Sequence, residues 1–166
     1  MSFMTEAFKP ANHIILTKPR KPDNLIKSVQ WVDTPGFVKI DKKNSPAQTI
    51  GIRYEKRVEK ELIALTNLEG FELASHKWIK YNNKFFAQPD FVLISLYGTS
   101  ILIEVKYTYT DTFDQRELYT KLLKKLGYKS ITSCTICHNL TSETPKDKII
   151  HNFRDIKQDS VWQLRI

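Results

Sequence analysis

The chain has 166 residues, 41% of them hydrophobic, and at that length one core can bury roughly two thirds of the surface its unfolded chain exposes, with no disulfide or metal staple needed. Its 26 Lys+Arg against 18 Asp+Glu give a net charge of +8, a surplus that suits a polyanionic partner. No apolar run reaches membrane-span length and the opening "MSFMTEAFKPANH" has no apolar signal core, so the expectation is a cytoplasmic protein, neither membrane-inserted nor exported, in a reducing compartment.

Residues 1–46 hold eight Lys/Arg against four Asp/Glu and prolines at 10, 19, 22, 35 and 46. Proline fixes φ and removes a backbone donor, so this stretch is expected to be a basic extended arm, in which "HIILT" and "GFVKI" could each add an edge strand or lie in a groove. Lys18, Arg20, Lys21 and Lys27, around "TKPRKPDN", are its candidate DNA phosphate contacts. The folded domain is expected over 47–166.

In "TIGIRYEKRVEKELIALTNLEG" the residues Ile52, Val58, Leu62 and Leu65 recur at helical spacing, and Gly70 is placed to end the helix. The segments "FELASHKWIKYN", "FFAQPDFVLIS" and "SILIEVKYTYT" are rich in Phe, Ile, Val, Trp and Tyr and are separated by Asn82-Asn83 and Gly98, which predicts three consecutive antiparallel strands. A second helix follows in "DTFDQRELYTKLLKKLGY", with Leu118, Leu122, Leu123 and Leu126 on one face and Gly127 as its stop. After it "KSITSCTICHN" alternates like a fourth strand, and the tail allows a short helix after Pro145 and a last strand at "VWQLRI". The order helix, three strands, helix, strand predicts an α/β fold, a mixed sheet flanked by helices.

The "CTICH" of Cys134 to His138 matches the C-x-x-C-H pattern of haem attachment and could be half of a zinc site. Haem attachment requires export, zinc would need a further Cys/His pair, and an iron–sulfur cluster needs four cysteines where the chain has two. Neither haem nor an iron–sulfur cluster is expected. Alternation puts Cys134 and Ile136 on one face of the strand and Cys137 on the other.

The carboxylates of the strand region need an explanation. Glu104 and Lys106 are two apart and share a strand face, and a hairpin about Tyr97-Gly98 brings Asp90 near them across the ladder. Two carboxylates at close range repel unless a proton or cation lies between them, and hard divalent ions take carboxylate oxygens and water. A solvated sheet face or a Pro-Asp turn would explain each residue singly. The apolar neighbours Phe91 to Ile94 and Ile101 to Ile103 argue against a fully wet strand.

Taken together, these residues resemble the PD-(D/E)XK nuclease superfamily, "QPDFVL" matching its Pro-Asp element and "IEVK" its Glu-X-Lys element. The resemblance covers Gly51 to about His138, because helix, three strands, helix, strand is the order of that superfamily's restriction-endonuclease-like core. The helix "GIRYEKRVEKEL" looks like the one that adds an acidic residue, Glu55 or, one turn on, Glu59. Gln115 and Tyr119 in "QRELY" fit the Gln-X-X-X-Tyr motif of the RecB-like and lambda-exonuclease-like branch, while "GIRYE" and the small size resemble Holliday-junction resolvases.

The resemblance implies Mg²⁺- or Mn²⁺-dependent hydrolysis of DNA phosphodiesters in recombination, repair or replication. Asp90 and Glu104, with the Val105 carbonyl, would hold the ion, and Glu55 a second ion or its water. Lys106 would orient or deprotonate the attacking water, and Gln115 and Tyr119 would position substrate and water. DNA is the implied partner, and a homo-oligomer is compatible with it. A different class of reading is a non-cleaving DNA-binding or structural protein that keeps a nuclease-like fold; the intact Asp90, Glu104 and Lys106 argue against it.

Overall fold

The computed structural model describes residues 3–5, 29–33, 44–81 and 85–166. In chain order these form β1 (Phe3–Thr5), β2 (Gln30–Val32), α1 (Pro46–Glu69), β3 (Phe71–Ser75), β4 (Trp78–Lys80), β5 (Phe85–Ala87), β6 (Phe91–Ser95), β7 (Ser100–Thr108), α2 (Phe113–Lys125), β8 (Ile131–Asn139), β9 (Ile149–Ile150) and β10 (Ser160–Gln163). The motifs "HIILT" and "GFVKI" and the cations Lys18, Arg20, Lys21 and Lys27 lie outside the described residues.

Helix α1 starts where its sequence supplies a full cap. The Gln48 amide donates to Ser45 Oγ at 3.2 Å and the Ser45 amide to Gln48 Oε1 at 2.8 Å, a capping box, with Pro46 opening the first turn. It ends at Gly70, whose φ of 73° is the left-handed conformation glycine adopts without strain. Tyr54, Val58 and Leu62 form its buried face, whereas Ile52, expected there, is exposed. At about 100° per residue Ile52 lies roughly 200° round from Tyr54, so the i, i+4, i+8 series that begins at Tyr54 wins the inner face.

The main sheet has six strands in the order β3-β6-β7-β8-β10-β9. Strands β3, β6 and β7 are antiparallel neighbours, β8 runs parallel to β7, and β10 is parallel to both β8 and β9. The β7-to-β8 connection runs through α2, the crossover that a parallel pair requires. A mixed α/β fold is what the sequence pattern predicts, but the first two expected strands are each broken in two. The first breaks after Ser75, where His76 takes a φ of 50°, and the second between Ala87 and Phe91, around Pro89. Proline cannot donate to a ladder and a left-handed residue cannot continue one. The detached pieces β4 and β5 join β1 and β2 in a second sheet of order β1-β5-β4-β2.

Because β2 belongs to that sheet, a part of residues 1–46 is built into the core. Val29, Trp31 and Val32 are buried, and Trp31 Nε1 donates to the Tyr128 hydroxyl at 3.1 Å. The two faces of the six-stranded sheet are both covered. Tyr54, Val58 and Leu62 pack with Phe91, Leu93, Ile103, Val105, Cys134 and Ile136 on one side. Tyr119, Leu122, Leu123 and Leu126 pack with Val92, Ile94 and Leu102 on the other. This double burial explains why β7 reads as a nearly continuous apolar run, and why a carboxylate inside it is costly. After Pro145 there is a 3-10 turn, Lys146–Lys148, in place of the expected short helix, and the last strand closes at Gln163. Among the described residues no helix is long and apolar enough to cross a membrane.

Candidate active site

Both strand breaks fall beside one residue, Asp90, and they create the site. The register Phe91 to Ile103 puts Asp90 opposite Glu104, and the two strands exchange side-chain bonds there. The Asp90 amide donates to Glu104 Oε2 at 2.8 Å, and the Val105 amide donates to Asp90 Oδ2 at 2.8 Å. Each carboxylate therefore stitches the opposite strand at the point where β6 begins. Asp90 is 1% exposed and Glu104 0%. Asp90 Oδ1 is buried and has no hydrogen-bond partner among the described residues.

Two other donors converge on Asp90. Glu55 flanks the buried stripe of α1 and bonds His76 Nε2. His76 is held from several directions: its amide donates to the Asp90 carbonyl at 2.9 Å, its carbonyl accepts from Gln88 Nε2 at 3.0 Å, and its ring meets Phe91 edge-on at 5.0 Å. The left-handed backbone at His76 turns the chain out of β3, and the imidazole comes to lie against α1. Ligand atoms of Glu55, His76 and Asp90 all lie within 4.8 Å of one another, so this cluster could hold a metal ion.

Among the described residues the cluster holds an excess of negative charge in a buried place. Burial, then the charges of Glu104 and Glu55, hold the Asp90 carboxyl well above the ordinary range, and the Val105 amide offsets this in part. Burial likewise raises Glu104, with the Asp90 amide and the Lys106 charge opposing it. For Glu55 burial pushes upward, but the hydrogen bond and charge of His76, with a side-chain hydrogen bond to Asp90 adding to them, lower the carboxyl. A proton or a cation relieves this arrangement.

A cleft of about 320 Å³ opens onto the cluster. Gly51 and Glu55 of α1 line one side, Val105, Lys106 and Tyr107 of β7 line another, and Asp90 reaches it from the strand break. Of the residues singled out in the sequence, Glu55, Asp90, Val105 and Lys106 thus share one cleft, and Glu104 is sealed next to Asp90. Val105 turns its amide to Asp90. Glu59, the alternative to Glu55, instead accepts a bond from the Ser75 hydroxyl.

Tyr119 is fully buried, and its hydroxyl has no hydrogen-bond partner among the described residues. The ring packs in the core, as a positioning role expects, while the hydroxyl, expected at the backbone of a strand end, makes no bond to a described residue. Burial, with the nearby charges of Glu104 and Asp90, raises its phenol far above the ordinary range, which places it close to the carboxylates on the α2 side of the sheet. Gln115 is half-buried one turn earlier on the same side of α2.

His76 is the site residue that the sequence pattern does not reveal. It sits inside an apparently continuous strand, no fixed spacing links it to Glu55 or Asp90, and its role depends on a backbone turn. The polar Ser75-His76-Lys77 interruption of a β-rich segment is its only trace in the sequence. No family model, curated protein or solved structure matches the chain.

Proposed function

We propose that this protein is a divalent-metal-dependent deoxyribonuclease with a restriction-endonuclease-like core, hydrolysing DNA phosphodiesters at the Asp90 cleft. The observation that carries the proposal is the buried Oδ1 of Asp90, which has no hydrogen-bond partner among the described residues while ligand atoms of Glu55 and His76 stand within 4.8 Å. Orphaned buried acceptors are rare, and two carboxylates plus one imidazole are a donor set for a divalent cation such as Mn²⁺ or Mg²⁺. Asp90, Glu55 and His76 would hold the ion. When bound, such an ion polarises a phosphoryl oxygen and makes water a better nucleophile.

The chain's own groups then have separable tasks. Glu104 accepts the Asp90 amide and, together with the Val105 amide, keeps the Asp90 carboxylate in one orientation. Lys106, in the cleft, carries a positive charge toward the phosphate and can hold or orient the attacking water. Tyr119, buried in the core on the α2 side, would act as a positioning residue. The positive balance of the chain favours approach of a polyanion whatever its sequence.

The test is a cleavage panel of linear duplex, single-stranded, flapped and four-way-junction DNA in Mg²⁺ or Mn²⁺. Cleavage is expected with either ion and not in EDTA. Asp90→Ala, Glu104→Ala and Lys106→Ala should each lower the rate by about a hundredfold or more while DNA binding persists. Wild-type cleavage in EDTA, or full activity in Asp90→Ala, overturns the proposal.

A further inference from the structure

We infer that the cleft beside Asp90 is a stacking subsite for one unpaired nucleobase, with Tyr107 as its platform. The inference rests on the nuclease reading and adds the substrate class: DNA that offers an unpaired base next to the cleaved phosphate.

The Tyr107 ring is stacked on His138 with centroids 5.0 Å apart and planes 13° from parallel. Tyr54 stands perpendicular to both rings, at 5.6 Å and 81° from Tyr107 and at 5.8 Å and 88° from His138. Equal distances mean that Tyr54 lies beside the stack. A ring capping the outer face of Tyr107 would be about twice as far from His138 as from Tyr107. The outer face of Tyr107 is therefore not taken by either aromatic neighbour, and Tyr107 is half-buried and lines the cleft.

Both rings that flank Tyr107 are anchored by hydrogen bonds. The Tyr54 hydroxyl donates to the Leu164 carbonyl at 2.6 Å, and His138 Nδ1 bonds Asn139 Oδ1 at 2.9 Å. A pre-ordered ring gives up little freedom when a base stacks on it.

The opposite wall supplies the second observation. Gly51 lies in the sixth position of a 24-residue helix, where glycine is unfavourable relative to alanine. Its helical backbone does not require glycine, and a Cβ added there would meet nothing within 4 Å among the described residues. Packing thus gives no reason for the missing side chain. Its absence leaves the α1 side of the cleft, which Gly51 and Tyr107 both line, open to a planar group.

A base on Tyr107 would put its own phosphate in the cleft that Lys106 and the Glu55–His76–Asp90 cluster also border. In an intact duplex each base is already stacked and paired, so only a single strand, frayed end, flap or junction can fill the subsite without breaking pairs. Because every base has a π-face, no base preference is expected.

The probe is a short single-stranded oligonucleotide carrying 2-aminopurine, bound to the full-length protein with Ca²⁺ as the cation. Stacking should quench its fluorescence on wild-type protein and on Tyr107→Phe. Quenching should be lost in Tyr107→Leu, with affinity for the single strand down by roughly 5- to 150-fold and affinity for blunt duplex nearly unchanged. Gly51→Leu, which keeps a strong helix former at the position, should also lose quenching with the aromatic stack intact. Unchanged quenching in both variants, or equal weakening for single strand and duplex, overturns the subsite and leaves the nuclease reading standing if the wild type cleaves. The predicted quenching pattern in a wild type that cleaves no DNA with any cation supports the subsite and overturns the nuclease reading.

Discussion

Replacing Asp90 with asparagine should make the metal-free protein more stable and abolish its stabilisation by metal. Asparagine keeps an oxygen to accept the Val105 amide, so the strand junction is preserved, while the charge that burial, Glu104 and Glu55 all oppose is removed. The folded-state carboxyl of Asp90 is raised above its ordinary value of 3.8, so it binds its proton more tightly folded than unfolded. That preference is neutral in strong acid, where both states are protonated, and becomes a growing loss of stability as pH rises through the ordinary value toward the folded one. The wild type and Asp90→Asn should therefore converge below about pH 4 and separate at pH 8, with the variant more stable there. A divalent cation reverses the ranking. At a concentration about a hundred times its Kd, a ligand that binds only the folded state contributes about 2.7 kcal/mol. For a chain of this size each kcal/mol moves Tm by about 2–4 °C, so Mn²⁺ should raise the wild-type Tm by roughly 5–11 °C. In Asp90→Asn the rise should fall below about 2 °C. Circular dichroism melts in EDTA and in a Mn²⁺ titration at both pH values measure all of this. No Mn²⁺-dependent rise in the wild type, or the same rise in the variant, refutes the reasoning.

His76→Asn should weaken Mn²⁺ more than Mg²⁺, because imidazole is the one nitrogen donor of the cluster and Mg²⁺ prefers oxygen; the ratio of cleavage rates in the two ions should narrow, and an unchanged ratio would place His76 outside the metal shell. Tyr119→Phe deletes a buried hydroxyl without a described partner, so urea unfolding should show no loss of stability and a gain of up to about 1 kcal/mol, with cleavage slowed less than about tenfold. A destabilisation above about 1 kcal/mol would mean that the hydroxyl has a bond. Replacing Lys18, Arg20, Lys21 and Lys27 together by Gln should weaken DNA binding without changing its sequence preference, and should flatten the dependence of log K on log salt by as much as about 3.6 units if all four reach duplex phosphates. An unchanged slope would show that none of them does.

Much of the fold is legible in the sequence because it is written in periodicity and punctuation. Val58, Leu62 and Leu65 mark α1, Gly70 and Gly127 mark helix ends, and the Tyr97-Gly98 turn fixes the β6–β7 register, from which Asp90 falls opposite Glu104. What is not legible depends on backbone departures and on distant partners. The breaks at His76 and Pro89 look like continuous strands because β-rich residues stand on both sides, and only the pairing of β4 with Gln30–Val32 and of β5 with Phe3–Thr5 decides that the chain changes sheets. Trp31 reads as part of a proline-rich basic stretch, yet it is 1% exposed and bonded to Tyr128, a partner 97 residues away. The same holds at the site. Asp90, Glu104 and Lys106 declare themselves by being ionisable within apolar runs, whereas His76, Gly51 and the Tyr107–His138 stack acquire meaning only when α1 and the end of β7 are brought to one cleft and β8 is paired beside β7.

A crystal of the full-length protein grown with Mn²⁺, with data collected at the manganese absorption edge, is the most direct test of a cation-dependent centre at Asp90. The expected anomalous difference map has a peak within about 2.5 Å of Asp90 Oδ1, with Glu55 or His76 also in the coordination shell. A map with no peak there at millimolar Mn²⁺, or with Asp90 Oδ1 bonded to a protein donor or an ordinary water, contradicts it.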